Sequence, residues 1–175
     1  AALDIPRYDA HTRYLDVPLV KFLGQKFSSM PTSNTIGIKN VADTVAEARD
    51  YISRGFRILK VKLGKDLDED IERLFKLREN FGNGIVIRID ANQGYSTNDT
   101  LRFVEQTRSL NIELIEQPLP AKAVDDMKKL PPAVRKTIAA DESLLTPVDA
   151  LNLVAEPRAC GIFNIKLMKC GGVSQ

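Results

Sequence analysis

From residue 35 onward the chain alternates between two spacings of apolar residues. Short apolar runs lie at 35–38, 58–64, 85–90, 112–116, 137–141 and 161–167. Between them, at 41–54, 66–80, 97–110, 125–130 and 147–155, are longer segments of mixed polarity. The short runs predict strands and the longer segments amphipathic helices. Punctuation agrees: Gly55, Gly82, Gly84 and Pro131-Pro132 fall between segments, and the acids after residue 65 open a helix at the end its dipole favours. Strands alternating with helices of 10–15 residues predict βα units on a parallel sheet. Upstream, residues 3–23 carry a helical rhythm interrupted by Pro6 and Pro18, with Gly24 as its stop. A polar connector follows at 28–34, so residues 1–31 read as a helical lead-in and residues 32–175 as the sheet-bearing unit.

The alternation alone suits both a doubly wound sheet and a closed barrel. Side-chain parity favours the barrel. Leu59, Val61 and Leu63 share one face of their strand, and Lys60 and Lys62 the other. Ile85, Ile87 and Ile89 oppose Val86, Arg88 and Asp90, and Phe163, Ile165 and Leu167 oppose Ile162, Asn164 and Lys166. Strands covered by helices on both faces read as continuous apolar runs. One apolar face and one mixed face ending in a charge suggest a barrel interior that opens on a site at the strand C-termini. The Gly-rich phosphate-binding fingerprint of a nucleotide-binding sheet is absent.

Composition removes other classes. The 175 residues suffice for one domain with a sizeable core, and 25 Lys and Arg face 23 Asp and Glu. Without a basic stripe carrying aromatics, nucleic acid is a poor partner. No apolar run approaches the roughly 20 residues of a membrane span, and no signal peptide is visible. Cys160 and Cys170 lack metal-ligand spacing and fit a reduced, cytoplasmic protein. His11, the one histidine, lies far from the charged strand ends and reads as a surface or packing residue.

Five strands end in an inward-facing charge: Lys62, Asp90, Glu116, Asp141 and Lys166, spaced 28, 26, 25 and 25 residues apart. Each interval is one βα unit, which places the five at equivalent heights. Three converging carboxylates repel one another, and a hard divalent cation resolves the conflict. Oxygen ligands without His or Cys favour Mg²⁺, or Mn²⁺, over zinc. Such a cation would bind a substrate carboxylate and stabilise the enolate left when the α-proton departs. Lys60 and the cation would both disfavour an ammonium at Lys62, moving that amine towards the range of a useful base.

In order, Lys60-Val61-Lys62, Asp90-Ala91-Asn92, Glu116-Gln117-Pro118, Asp141-Glu142-Ser143 and Asn164-Ile165-Lys166 running to Gly171-Gly172 resemble the enolase superfamily, muconate lactonizing enzyme subgroup. The resemblance implies an α/β fold, a partial (β/α) TIM-like barrel of about six units. It implies Asp90, Glu116 and Asp141 as Mg²⁺ ligands, Lys62 and Lys166 as acid/base groups on opposite faces of the substrate, and Lys60 as support for Lys62. Residues 1–31 resemble the helix that leads from that family's capping domain into its barrel. Thr35-Ile36-Gly37-Ile38 together with residues 164–169 looks most like the dipeptide epimerases, of which L-Ala-D/L-Glu epimerase is the best-known kind. In those enzymes the Thr at the position of Thr35 touches substrate. The implied activity is epimerisation of a dipeptide, with a homo-oligomer as the intact form. Related expectations are o-succinylbenzoate synthase, N-succinylamino acid racemase and muconate cycloisomerase chemistry. The capping domain, two last strands and an Asp-x-Asp that holds the dipeptide ammonium in the epimerases lie outside these residues, so the chain reads as a fragment. The non-enzymatic rival is an inactive truncated barrel.

Overall fold

In the computed structural model, which describes residues 1–174, six strands form one parallel sheet in the order β1-β2-β3-β4-β5-β6. The strands are β1 (Asn34–Ile36), β2 (Ile58–Lys62), β3 (Val86–Asp90), β4 (Ile112–Glu116), β5 (Ile138–Ala140) and β6 (Ile162–Phe163). Helices α1 (Asp4–Tyr14) and α2 (Leu19–Phe22) precede the sheet; α3 (Val41–Ser53), α4 (Leu67–Phe81), α5 (Thr97–Gln106), α6 (Val124–Lys129), α7 (Pro132–Thr137) and α8 (Pro147–Val154) connect its strands. Sequential parallel neighbours joined by helices are six consecutive units of a (β/α) barrel.

Face parity holds in β2 and β3 as the sequence predicts. Leu59, Val61, Leu63, Ile87 and Ile89 are fully buried and pack with Leu74, Leu77 and Phe103 of the covering helices. A second cluster joins Ile138 and Ala140 to Met127, Leu130 and Leu153. The other face carries Lys60, Lys62, Arg88, Asp90 and Glu116.

Four helices that leave the C-terminal ends of strands are capped by side chains. Asn40, Asp66, Ser96 and Thr146 accept from the backbone N–H of Asp43, Glu69, Asp99 and Asp149 respectively. Ser96–Asp99 and Thr146–Asp149 are reciprocal capping boxes, and Pro147 adds a pre-set φ at the first turn of α8. These caps fix the turns on which the charged strand ends depend. Ser96→Ala is expected to lower unfolding free energy by about 1 kcal/mol, read from the urea midpoint.

Among the boundaries that differ from the sequence reading, three bear on the site. Pro131-Pro132 does not only end a helix: Pro132 begins α7, where its missing N–H is no loss, and strand β5 starts at Ile138 rather than at Thr137. Asp141 is therefore the residue after β5. Strand β6 covers Ile162–Phe163 instead of residues 161–167. Its neighbour β5 turns away at Asp141, so the rung from Asn164 N–H to Ala140 O at 2.9 Å is the last that β5 offers. Beyond it Ile165 is 70% exposed, and a turn closes from Cys170 N–H to Lys166 O at 3.1 Å.

Candidate active site

One register row carries Lys62, Asp90 and Glu116: Lys62 pairs with Asp90 across β2–β3, and Asp90 with Glu116 across β3–β4. The second pairing depends on a β-bulge. Ile87 pairs with Ile112, but Arg88 pairs with Leu114, leaving Glu113 as the extra residue. Glu113 forms an ion pair with Arg88. The extra residue switches the parity of β4, so Ile112 packs with the helix-side core while Glu116 stands beside Asp90. Glu116 also pairs with Ala139, so Asp141 sits one same-face step further along than the row. The five charged groups are thus staggered rather than level, as a sheared, tilted sheet requires.

Asp90, Glu116 and Asp141 are 5%, 5% and 3% exposed, so each buried charge needs a partner. Lysines supply them. Lys60 Nζ lies 2.8 Å from Glu116 Oε1, 2.8 Å from Oε2 and 3.1 Å from Asp90 Oδ2. Burial opposes the Lys60 ammonium, but the bonds from Glu116 and Asp90 outweigh it and hold its pKa above the ordinary range. Asn164 Nδ2 donates to Glu116 Oε1 at 2.9 Å. Lys166 Nζ lies 2.5 Å from Asp141 Oδ2, and Lys169 pairs with Asp141 Oδ1 while donating to Asp141 O at 2.6 Å and Asn164 O at 3.0 Å. Burial pushes the Asp141 carboxyl up, yet the bonds from Lys166 and Lys169 bring it below its usual value; Asp141 in turn raises Lys166.

Lys62 stands apart. Among the described residues it has no carboxylate partner, and its Nζ reaches only Asn92 Oδ1, at 3.4 Å. Asn92 Nδ2 donates to Leu63 O at 3.2 Å and Asp90 O at 3.0 Å, so it ties the ends of β2 and β3 together. Thr35 is exposed on β1 and in register with Lys60. His11 lies on α1, edge-on to Phe22 with ring centroids 5.5 Å apart, and both cysteines are free.

Three further residues brace the carboxylates. Gln117 is fully buried: its Oε1 accepts from Asp141 N–H at 2.9 Å and Ser143 N–H at 3.1 Å, and its Nε2 donates to Ser143 Oγ at 2.8 Å. Asn92, Gln93 and Gln117 adopt positive φ of 48°, 63° and 37°, a conformation that costs energy and marks turns held for a purpose. Lys169 and Asn164 are the other two. The polar residues adjoining the charged strand ends are the signal that could have found them.

The donor set fits a hard divalent cation: three buried carboxylates from neighbouring strands, with no nitrogen or sulfur ligand among them. As they stand, Lys60 bridges two and Lys166 and Lys169 hold the third. Among the described residues no group of three acidic, His or Cys side chains closes on one point.

A parallel (β/α)-barrel sheet with buried acids and lysines at its strand C-termini defines the class. The chain belongs to the family described as Enolase C-terminal domain-like, which matches residues 43–175. It is 52% identical over 174 residues to the L-Lys-D/L-Arg epimerase of Methylococcus capsulatus, covering 99% of this chain and 49% of the relative. It is 34% identical over 177 residues to the L-Ala-D/L-Glu epimerase of Bacillus subtilis, covering 99% and 48%. The crystal structure of the dipeptide epimerase from Methylococcus capsulatus complexed with Mg and the dipeptide L-Arg-D-Lys superposes with a TM-score of 0.94 at 52% identity, over 98% of this chain and 49% of that one. The chain thus spans about half the length of these relatives. No helix among the described residues is long and apolar enough to cross a membrane.

Proposed function

We propose that this chain carries the metal and acid/base residues of a dipeptide epimerase that moves a proton α to a carboxylate. The observation that carries the reading is the site's arrangement: three buried carboxylates on β3, β4 and the end of β5, flanked by Lys62 on one side and Lys166 on the other. Asp90, Glu116 and Asp141 would hold Mg²⁺, with Mn²⁺ as a substitute. The bound cation supplies positive charge against the substrate carboxylate and the charge that develops on it. Lys62, without a carboxylate partner among the described residues, takes the α-proton from one face. Lys166 returns a proton to the other face, and the roles exchange for the reverse reaction. Lys60 balances Asp90 and Glu116, and Thr35 lies within the substrate's reach on β1. Residues 1–31 act as a helical linker onto the barrel unit of residues 32–175. The bonds from Val173 N–H to Asp4 Oδ2 at 2.5 Å and from Ser174 Oγ to Asp4 Oδ1 at 2.6 Å support that docking.

Identity is higher to the Lys/Arg-acting relative, 52% against 34%, so cationic dipeptides are the first substrates to try, with L-Ala-L-Glu as the second arm. The intact protein in D₂O with Mg²⁺ is expected to interconvert epimers of one such dipeptide and to place deuterium at a single α-carbon. A chelator should stop turnover and added Mg²⁺ restore it. Full activity under chelation would refute the metal assignment; no exchange with any dipeptide would refute the epimerase.

A further inference from the structure

Asp70 lies in the first turn of α4 and is fully buried. Its Oδ2 accepts from Gly64 N–H at 2.8 Å and from the Tyr95 hydroxyl at 2.8 Å, and its Oδ1 accepts from Arg73 Nη1 at 2.8 Å. Gly64 belongs to the turn that leaves β2 just after Lys62. Tyr95 belongs to the turn that leaves β3 after Asp90 and Asn92. A single carboxylate therefore holds both turns.

Those turns touch through their glycines. A Cβ at Gly64 would lie 2.0 Å from Ala91 O, and one at Gly94 would lie 2.1 Å from Gly64 O. Gly64 also has φ of +101°, which an L side chain rarely adopts. Leu63 N–H donates to Asp90 O at 2.8 Å, extending the β2–β3 ladder into the turns. The Lys62 amine meets the second turn through Asn92, so its place relative to the acid row depends on how the two turns are clamped.

Capping does not account for Asp70, because Asp66 already caps α4. Nor is the group cheap to bury. Arg73, 2% exposed, brings a second buried charge, and its Nε has no partner among the described residues. Burial and the neighbouring Asp70 charge keep the Tyr95 phenol protonated, hence a steady donor.

We propose that Asp70 is a positioning residue for Lys62: it clamps the turn after Lys62 to the turn after Asp90 and so sets where the Lys62 amine stands against the acid row. Its catalytic consequence rests on the epimerase reading above; the clamp itself does not.

Two variants of the intact protein test it. Asp70→Asn keeps the shape but removes the charge, and its amide cannot accept from Gly64, Tyr95 and Arg73 together. Tyr95→Phe keeps the carboxylate and releases only the second turn, so it serves should Asp70→Asn fail to fold. Labelling by acetic anhydride, read lysine by lysine by mass spectrometry, is expected to rise at Lys62 by at least about threefold in Asp70→Asn, and less in Tyr95→Phe, with Lys60 and Lys166 unchanged. Solvent deuterium exchange should fall by about tenfold to a hundredfold for the epimer served by Lys62, identified as the one that still exchanges in Lys166→Ala. The other epimer's exchange and the Mg²⁺ affinity should stay within about twofold, since the acid row is untouched. Unchanged Lys62 labelling in both variants overturns the clamp. An equal loss for both epimers also overturns it, because a general loosening would do that. Raised Lys62 labelling in a protein whose unaltered form exchanges no dipeptide leaves the clamp standing and removes the epimerase instead.

Discussion

Lys166→Ala in the intact protein is expected to cut net epimerisation by about 10²- to 10⁴-fold while one epimer keeps exchanging its α-hydrogen with solvent. Inversion by proton transfer needs a group on each face of the α-carbon, one removing the proton and the other supplying one. Lys62 ends β2 and Lys166 follows β6, with β3, β4 and β5, which lead to Asp90, Glu116 and Asp141, between them, so a carboxylate held at the acids lies between the two amines. Removing either amine stops inversion but leaves the surviving lysine able to take a proton and return a deuteron to the same face. Lys62→Ala should give the mirror result, with exchange confined to the other epimer. Neither change should unfold the protein. Lys62 has no carboxylate partner among the described residues to orphan, and Asp141 keeps Lys169 when Lys166 is lost. The measurement is deuterium incorporation into each epimer, followed by NMR. Wild-type epimerisation by Lys166→Ala would show that Lys166 is not a base and would turn the reading towards one-base chemistry.

Glu116→Gln is expected to abolish turnover and to weaken Mg²⁺ binding by at least about 100-fold, since changes to groups merely supporting a metal ligand already cost 10–100-fold. The amide keeps the shape of the carboxylate and loses its charge. Glu116 accepts from Lys60 through both oxygens and from Asn164 through one. Its amide can accept through one oxygen only, and its NH₂ would face an ammonium. Lys60 retains Asp90 at 3.1 Å and a partly exposed side chain, so the stability loss should be about 1–3 kcal/mol rather than collapse of the fold. Calorimetric titration with Mg²⁺ and a urea melt separate the two effects. Unchanged Mg²⁺ affinity would remove Glu116 from the metal set.

Much of this molecule was legible in the order of its residues. The period-two runs and the helical segments between them are local signals, and all six strands and every connecting helix except α7 appear where those signals lie. Face parity in β2 and β3 was legible for the same reason. Leu59, Val61, Ile87 and Ile89 alternate with Lys60, Arg88 and Asp90 within a single strand, and alternation needs no partner to be read. The charges at one βα-unit spacing pointed to the site because parallel strands bring equivalent ends together.

Three features were decided by tertiary contacts. Strict alternation along β4 would put Ile112, Leu114 and Glu116 on one face. The bulge at Glu113 breaks that alternation, sending Ile112 to the helix-side core and Glu116 to Asp90. A bulge exists only in the pairing of two strands, so β4 by itself carries no trace of it. The length of β6 followed the same logic, since its ladder ends where β5 turns away at Asp141. Asp70 entered the sequence reading only as one of the acids opening a helix, and Arg73 not at all, yet they are among the most buried side chains of the described residues. Two turns from separate strands close on Asp70, through Gly64 N–H and the Tyr95 hydroxyl, and Asp70 in turn holds Arg73. Local sequence sets which way a side chain points from its own backbone; what it meets there is set by strands and turns distant in the chain.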